Sequence, residues 1–524
     1  MTRQSPQPNI ERSHSLVRCG SILEFVLLSW YTISSVTAAE PFAIHVIDES
    51  TGRGVPLVEL KTTPDETYLT DSNGYVALDD PTLLGQQVYF HVSSHGYEHT
   101  KDFFGYRGTT LSVTPGGEAT IKIKRLNVAE RLYRITGAGI YRDSVKLGKE
   151  VPIGHPLLNA QVCGQDTVQA IVRGDRIHWF WGDTDRLSHP LGQFNTSGAV
   201  SRLPGAGGLD PAQGINLEYF VDDSGFSRPM FQRENGVLIW VHGAFRVDDP
   251  QGKPRILTHF SRRKGLAEQL SHGLAVLNDE TNQFEPLVQY AADEKLYPRG
   301  QSFRVTDSGT EYIYFAEPYA MVRVPATWEA VIDSAQYEAF TPFKAEANRA
   351  SADDLDRDEK GAIRYAWKRN TAPVDRRRLR RGLGAGALLE SDNRWRTIDV
   401  ATGEPIQLHA GSIHWNEHRR RWIMIAHQTF GKPSFLGEVW YAEALQPEGP
   451  FPNAVRIVTH DNYSFYNVAH HEFFDQDAGR LIYFEGTYTK AFSAATTATP
   501  WYDYNQIMYR LDLADPRLAA AFVE

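Results

Sequence analysis

"VAHHEFFDQDAGRLIYFEGTY", residues 468–488, holds the pattern on which the fold reading turns. An apolar segment runs into a Gln-Asp-Ala-Gly turn. Leu481-Ile482-Tyr483-Phe484 then leads to one carboxylate, Glu485, and a Gly-Thr-Tyr tail. On its own the stretch predicts a hairpin whose second strand is buried and ends in a turn at Glu485–Gly486.

The same plan recurs four times upstream. "DTVQAIVRGDRIHWFWGDT" (166–184) reaches Asp183, and "SRPMFQRENGVLIWVHGAF" (227–245) carries His242. "GQSFRVTDSGTEYIYFAEPY" (300–319) reaches Glu317, and "AGSIHWNEHRRRWIMIAHQTF" (410–430) carries His427. Each turn bears Gly, Asp or Asn, as tight hairpins require. Five such units predict an all-β chain whose main part, 155–515, is a five-bladed β-propeller. The aromatic strand of each unit would lie second from the axis. Its polar end residue would face one mouth of the channel.

Composition agrees with strands and turns: 24 Tyr, 26 Phe, 11 Trp and 42 Gly in 524 residues. A formal charge of −10 gives no general attraction to nucleic acid or to an anionic membrane. The chain opens with Arg3, Arg12 and Arg18, then "ILEFVLLSWYTISSV" and the small residues "TAAE". This is the pattern of an export leader over 1–39, with cleavage expected after Ala38 or Ala39. A secreted, periplasmic or cell-surface location follows, with no stable membrane insertion after cleavage; an uncleaved anchor is the alternative. Only Cys163 would then remain, so no internal disulfide is expected.

Residues 41–125 alternate in strand fashion between Ser-Thr-Gly, Ser-Asn-Gly and Pro-Gly-Gly turns and predict a small β-sandwich. The turn Thr70-Asp71-Ser72-Asn73-Gly74-Tyr75, with "STGRGVP" before it and "VSSHGYE" after it, resembles the carboxypeptidase-regulatory, transthyretin-like family. That resemblance implies a supporting domain without chemistry of its own. "VAERLYRITG" (128–137) has helical spacing and predicts a linker within 126–154. Residues 321–400 predict a helical and charged insertion between the third and fourth units. Its Asp354, Asp356 and Asp358 lack the glycine of a calcium loop, and its arginines 376–381 read as a surface face.

Acid–base cleavage of a glycosidic bond needs two carboxyl groups, one protonated and one ionised. Asp183, Glu317 and Glu485 are the candidates, among Trp181, Tyr319, Tyr488 and Phe430 as stacking rings. A second ring of polar residues is expected where inner strands begin: Asp166, Arg228, Arg299, Ser412 and the pair His470-His471. His242, His414, His427, His470 and His471 are candidates for substrate binding, although blade-to-blade hydrogen bonding uses the same residue types. Their spacing matches no metal motif, so no metal or cofactor is assigned, while a divalent cation in the channel stays compatible.

Five units with three acids at one mouth resemble the propeller glycosidases of the arabinanase, β-xylosidase and levanase type. That resemblance implies a glycoside hydrolase on a polysaccharide or oligosaccharide, and a base at the start of an inner strand, at Asp166. A monomer with a carbohydrate partner and no nucleic acid is expected. Two alternatives stay open: a non-catalytic propeller binding glycan or protein, and a polysaccharide lyase in which Arg299 neutralises a uronate.

Overall fold

A computed structural model of the chain describes residues 39–188, 196–232, 234, 236–265, 268–291, 294, 296–345, 354–374, 389–501 and 503–524. The expected leader, apart from Ala39, and the arginines 376–381 lie outside them. Residues 40–524 form one compact unit, nearly all β.

The first eight strands make two four-stranded sheets. Phe42–Asp48 pairs antiparallel with Tyr75–Leu78 and parallel with Glu118–Arg125. The other sheet is built on Gln86–Ser93, flanked by Glu59–Thr62 and Gly108–Val113. Period-two alternation turns Ile121 and Ile123 inward and Lys122 and Lys124 outward. Ile44, Val46, Leu60, Leu78 and Phe90 join them in one core shared by both sheets. In the signature turn, Asp71 Oδ1 accepts from the backbone N–H of Asn73 (3.0 Å) and Tyr75 (3.2 Å). Its Oδ2 accepts from Ser144 N–H at 2.6 Å, so the turn also anchors the short helix Arg142–Lys146.

Five further sheets of at least four strands follow, each wound as an antiparallel meander from its first strand. Those first strands are Gln169–Arg173, Leu238–Asp248, Gln301–Asp307, Leu408–Asn416 and Ser464–His470. Successive sheets are stitched together near these strands. Gln169 Nε2 and Gly243 N–H both donate to the carbonyl of Gly300 (3.2 and 2.8 Å), and Gln301 Nε2 donates to that of Val168 (2.9 Å). His470 N–H donates to Ser412 Oγ at 2.8 Å. The last sheet returns to the first, where Thr167 N–H donates to Thr487 Oγ1 (3.2 Å) and Asn467 Nδ2 to Thr167 Oγ1 (2.6 Å).

Four departures from the sequence reading have physical causes. Residues 128–137 are not helical. Glu130–Arg134 is a fully buried strand that pairs with Asn505–Asp512 and completes the last sheet. Val128 and Ala129 before it pack into one core, and Leu132, Tyr133 and Ile135 into another, which imitates helical spacing. The segment 321–400 is not one insertion. Ala320–Pro325, Glu338–Thr341 and Ala366–Arg369 belong to the third sheet, and Thr397–Asp399 joins the fourth. Its helical content among the described residues is short: Trp328–Val331 and the 3-10 turns Ser334–Gln336 and Glu390–Asp392. In the second unit, Leu238–Asp248 is the first strand of its sheet rather than the second. Finally, Leu481–Thr489 runs straight through Glu485 and Gly486 with no turn there.

Candidate active site

Asp166 stands just before the first strand of the first sheet, and Asp183 just after the second, Arg176–Trp181. The hairpin between them brings both aspartates to one end of the sheet. Asp183 N–H donates to Asp166 Oδ1 at 2.7 Å, and Asp166 N–H donates to the Asp183 carbonyl at 3.0 Å. Gly182 is required by this approach, since a Cβ there would meet Asp166 Oδ1 at 2.4 Å. Tyr466 Oη, from the first strand of the last sheet, donates to Asp166 Oδ2 at 2.8 Å.

The two acids differ in their partners. Asp166 holds three hydrogen-bond donors, from Tyr466, the Asp183 backbone and Thr167, each of which favours its anion. Asp183 is 8% exposed, and its Oδ1 has no hydrogen-bond partner among the described residues. Burial raises the carboxyl of Asp166 above its ordinary value, with the donors opposing. Burial raises that of Asp183 too, and the charges of Asp166 and Asp185 add to it, while the Trp240 side chain hydrogen-bonds the anion and opposes the rise. One proton shared by the two, resting on Asp183, is the arrangement these surroundings favour.

Backbone strain collects at the same place. Thr167 (φ 50°), Asn467 (φ 52°) and Tyr504 (φ 60°) all occupy the left-handed region. For a β-branched threonine that conformation is a true outlier. Tyr504 packs with Tyr466 and Leu436 in a small buried cluster. Sequence reading passed over Tyr466, Asn467 and Tyr504, although Tyr466-Asn467 lies directly before the quoted hairpin. Its tyrosine and Tyr504 read as ordinary aromatic strand residues.

Of the other candidates, His242, Arg299 and Glu317 stand at this end of the sheets. His242 is half-buried two residues beyond Trp240 on one strand face. Burial, then the guanidinium groups of Arg299 and Arg263, push its imidazole down to about 3. Glu317 is exposed, and its Cβ lies 3.1 Å from where a Gly300 side chain would begin. His427 is fully buried and stacks on His409, ring centroids 4.9 Å apart.

The remaining residues lie elsewhere. Glu485 is fully buried and faces His471, with Oε1 2.7 Å from Nε2, while His471 also meets Trp179 edge-on. It therefore joins the last sheet to the first and does not pair with Glu317. Trp181 is fully buried between Trp179 and Tyr219. Tyr319 donates to the carbonyl of Trp395 at 3.0 Å inside the core between the third and fourth sheets. Tyr488 is 1% exposed and hydrogen-bonds His95 of the N-terminal sheets. Arg228 donates to the carbonyl of Thr281 at 2.5 Å, in the turn before an outer strand. Phe430 remains exposed, edge-on to Phe435.

His414 and His470 sit towards the far ends of their first strands, not at the starts. Each has a carboxylate: Glu472 at 3.0 Å and Asp475 at 2.8 Å. Burial opposes charge on His414, but Glu472 and Asp475 outweigh it and hold the imidazole above its ordinary value. Its charge in turn draws Glu472 down to about 2. Among the described residues, no group of three His, Cys, Asp or Glu side chains is arranged to hold a metal ion. Asp356 is taken up by Arg364 and Lys368, and Asp358 closes a turn.

The chain matches no protein-family profile and no curated protein. Likenesses among solved structures include the GH43_1 enzyme from Xanthomonas citri complexed with xylose. It is 12% identical, with 69% of this chain and 90% of that one covered at a TM-score of 0.34. The α-L-arabinanase of Cellvibrio cellulosa is 11% identical, covering 67% and 91% at 0.32. An N-acetylgalactosamine deacetylase from F. plautii, in complex with blood group B trisaccharide, is 10% identical, covering 75% and 97% at 0.35.

Proposed function

We propose that the chain is an exported carbohydrate-active enzyme, a glycoside hydrolase, whose acid–base pair is Asp183 and Asp166. In this reading the five meander sheets are blades around one axis, and the two N-terminal sheets are a supporting sandwich of the carboxypeptidase-regulatory kind. The observation that carries the chemistry is the hydrogen-bonded pair of aspartates, Asp183 buried and Asp166 half-buried, in unequal surroundings.

Asp183, with one oxygen unpartnered and a carboxylate neighbour, keeps its proton at neutral pH and can give it to a leaving glycosidic oxygen. Asp166, held ionised by Tyr466 and two further donors, takes a proton from water or attacks the sugar carbon directly. Tyr466 orients Asp166. The strain at Thr167 and Asn467 holds the carboxylate in place before substrate arrives. Glu317, exposed at the same end, would touch the substrate as a third carboxyl group. Residues 1–39 are read as the export leader.

The test is a screen of the mature protein on plant and algal polysaccharides, following new reducing ends. Asp166→Asn and Asp183→Asn should each lower turnover at least a hundredfold, the usual worth of acid–base help, while glycan binding persists. Full activity in both variants would overturn the assignment. A parent protein that binds glycan and cleaves nothing would make this a binding module, and an unsaturated uronate product would mark eliminative cleavage instead.

A further inference from the structure

Beside the aspartate pair lies a group of cations that the acid–base chemistry does not use. Trp240, whose side chain hydrogen-bonds Asp183, carries the Arg263 guanidinium 5.0 Å from its ring centroid. His242 follows on the same strand face and meets the edge of Tyr297 at 5.9 Å. The Arg299 guanidinium lies 5.8 Å from the centroid of that same tyrosine. Trp240 and Tyr297 therefore each carry an arginine, with His242 against the second ring and Asp183 beside the first.

We propose that Arg299, with Arg263 and His242, binds an anionic group on the glycan, a uronate carboxylate or a sulfate ester, next to the Asp166–Asp183 pair. The proposal rests on the carbohydrate reading above and narrows its substrate class.

Three observations support it. Arg299 is exposed and makes no hydrogen bond or ion pair among the described residues. Neighbouring arginines behave differently: Arg262 is paired with Glu234, and Arg304 with Glu311. Second, Arg299 lies close enough to Arg263 to oppose its charge, an arrangement that an arriving anion relieves. Third, His242 is neutral here, so it offers a ring N–H or lone pair and adds no third charge. Two guanidinium groups held over flat rings present the planar donor forks that suit carboxylate and sulfate oxygens. In a chain of formal charge −10, such a patch stands against the general field.

The experiment uses the mature chain with Asp183→Asn, so that bound polymer is not consumed. Affinity electrophoresis compares polygalacturonic acid with its carboxyl-reduced form, and a sulfated galactan with its desulfated form. At least one charged polymer should bind about tenfold or more tighter than its neutral counterpart, and added salt should weaken it. The two pairs separate carboxylate from sulfate. Arg299→Gln should lose that tenfold preference, Arg299→Lys should keep part of it, and Arg420→Gln, an exposed arginine in a remote hairpin turn, should bind like the parent.

Equal binding of charged and neutral forms, no binding of either charged polymer, or an unchanged preference in Arg299→Gln would each overturn the proposal. Cleavage of a neutral glycan that needs Asp166 but ignores Arg299 would sink this inference and leave the hydrolase reading standing. Arginine-dependent binding of an acidic glycan that is never cleaved would do the reverse.

Discussion

A carboxyl group that keeps its proton at neutral pH has a cost that stability measurements can read. The folded Asp183 carboxyl lies above its ordinary value because of burial, then Asp166 and Asp185. Its contribution to stability is therefore fully present below the unfolded pKa of about 4 and is lost as pH rises through the raised folded value. Urea unfolding of Asp183→Asn should show more stability than the parent at pH 8, by about 1–3 kcal/mol, and no gain at pH 4. A parallel loss at both pH values would mean that the charge is not what sets the cost. With Glu485→Ala, His471 keeps its burial and loses its partner, so stability should fall by about 3–5 kcal/mol. Glu485→Gln should leave turnover within a few-fold of the parent, measured on whatever substrate the parent cleaves.

At the scale of elements, the strand Glu130–Arg134 matters most to the architecture. It follows the N-terminal sheets in sequence yet completes the last sheet, beside Asn505–Asp512. Leu132 is fully buried in the core that joins the first and last sheets, with Val168, Trp179 and Met508. Leu132→Ala should cost about 2–4 kcal/mol, read from chemical denaturation. The loss should also appear as faster exchange of the Asn505–Asp512 amides, because their outer partner strand loosens. A stability loss without that local exchange signature would argue against closure by this strand.

The whole described unit should unfold as one. The N-terminal sheets are tied to the last sheet by the His95–Tyr488 hydrogen bond, and the segment that follows them is tied to the fourth sheet, where the Val128 N–H donates to the Ile457 carbonyl at 3.0 Å. From the strand Glu130–Arg134 of the last sheet, Arg131 lies 5.2 Å over the ring of Tyr97 in the N-terminal sheets. Deleting 40–125 would expose Tyr488 and leave Arg131 without that ring. The truncated chain should be poorly soluble, and the intact chain should show a single calorimetric transition. Two well-separated transitions, or a soluble and active 126–524 fragment, would show that the sandwich is dispensable.

Strand periodicity and turn chemistry are local properties, and they could be read directly from residues such as Leu481–Phe484, Ile121-Lys122-Ile123 and the Asp71 turn. The repeat put Asp183 at the end of one strand, and the resemblance put a base at the start of another, at Asp166, which made both visible as candidates. What could not be read was the direction in which a strand's side chains face once sheets pack together. Glu485 and Asp183 occupy matching places in the repeat. Yet Glu485 sits four residues before the end of its strand and turns into a sheet–sheet core against His471, while Asp183 lies beyond its strand at the open end. Trp181, Tyr319 and Tyr488 were lost to the site for the same reason, since a buried aromatic and a sugar-stacking one have the same local pattern. Tyr466, the partner of Asp166, and Asn467, the partner of Thr167, come from about 300 residues away. Only closure of the last sheet onto the first brings them within hydrogen-bonding distance, because a contact of that range follows from the packing of whole sheets and leaves no trace in the spacing of neighbouring residues.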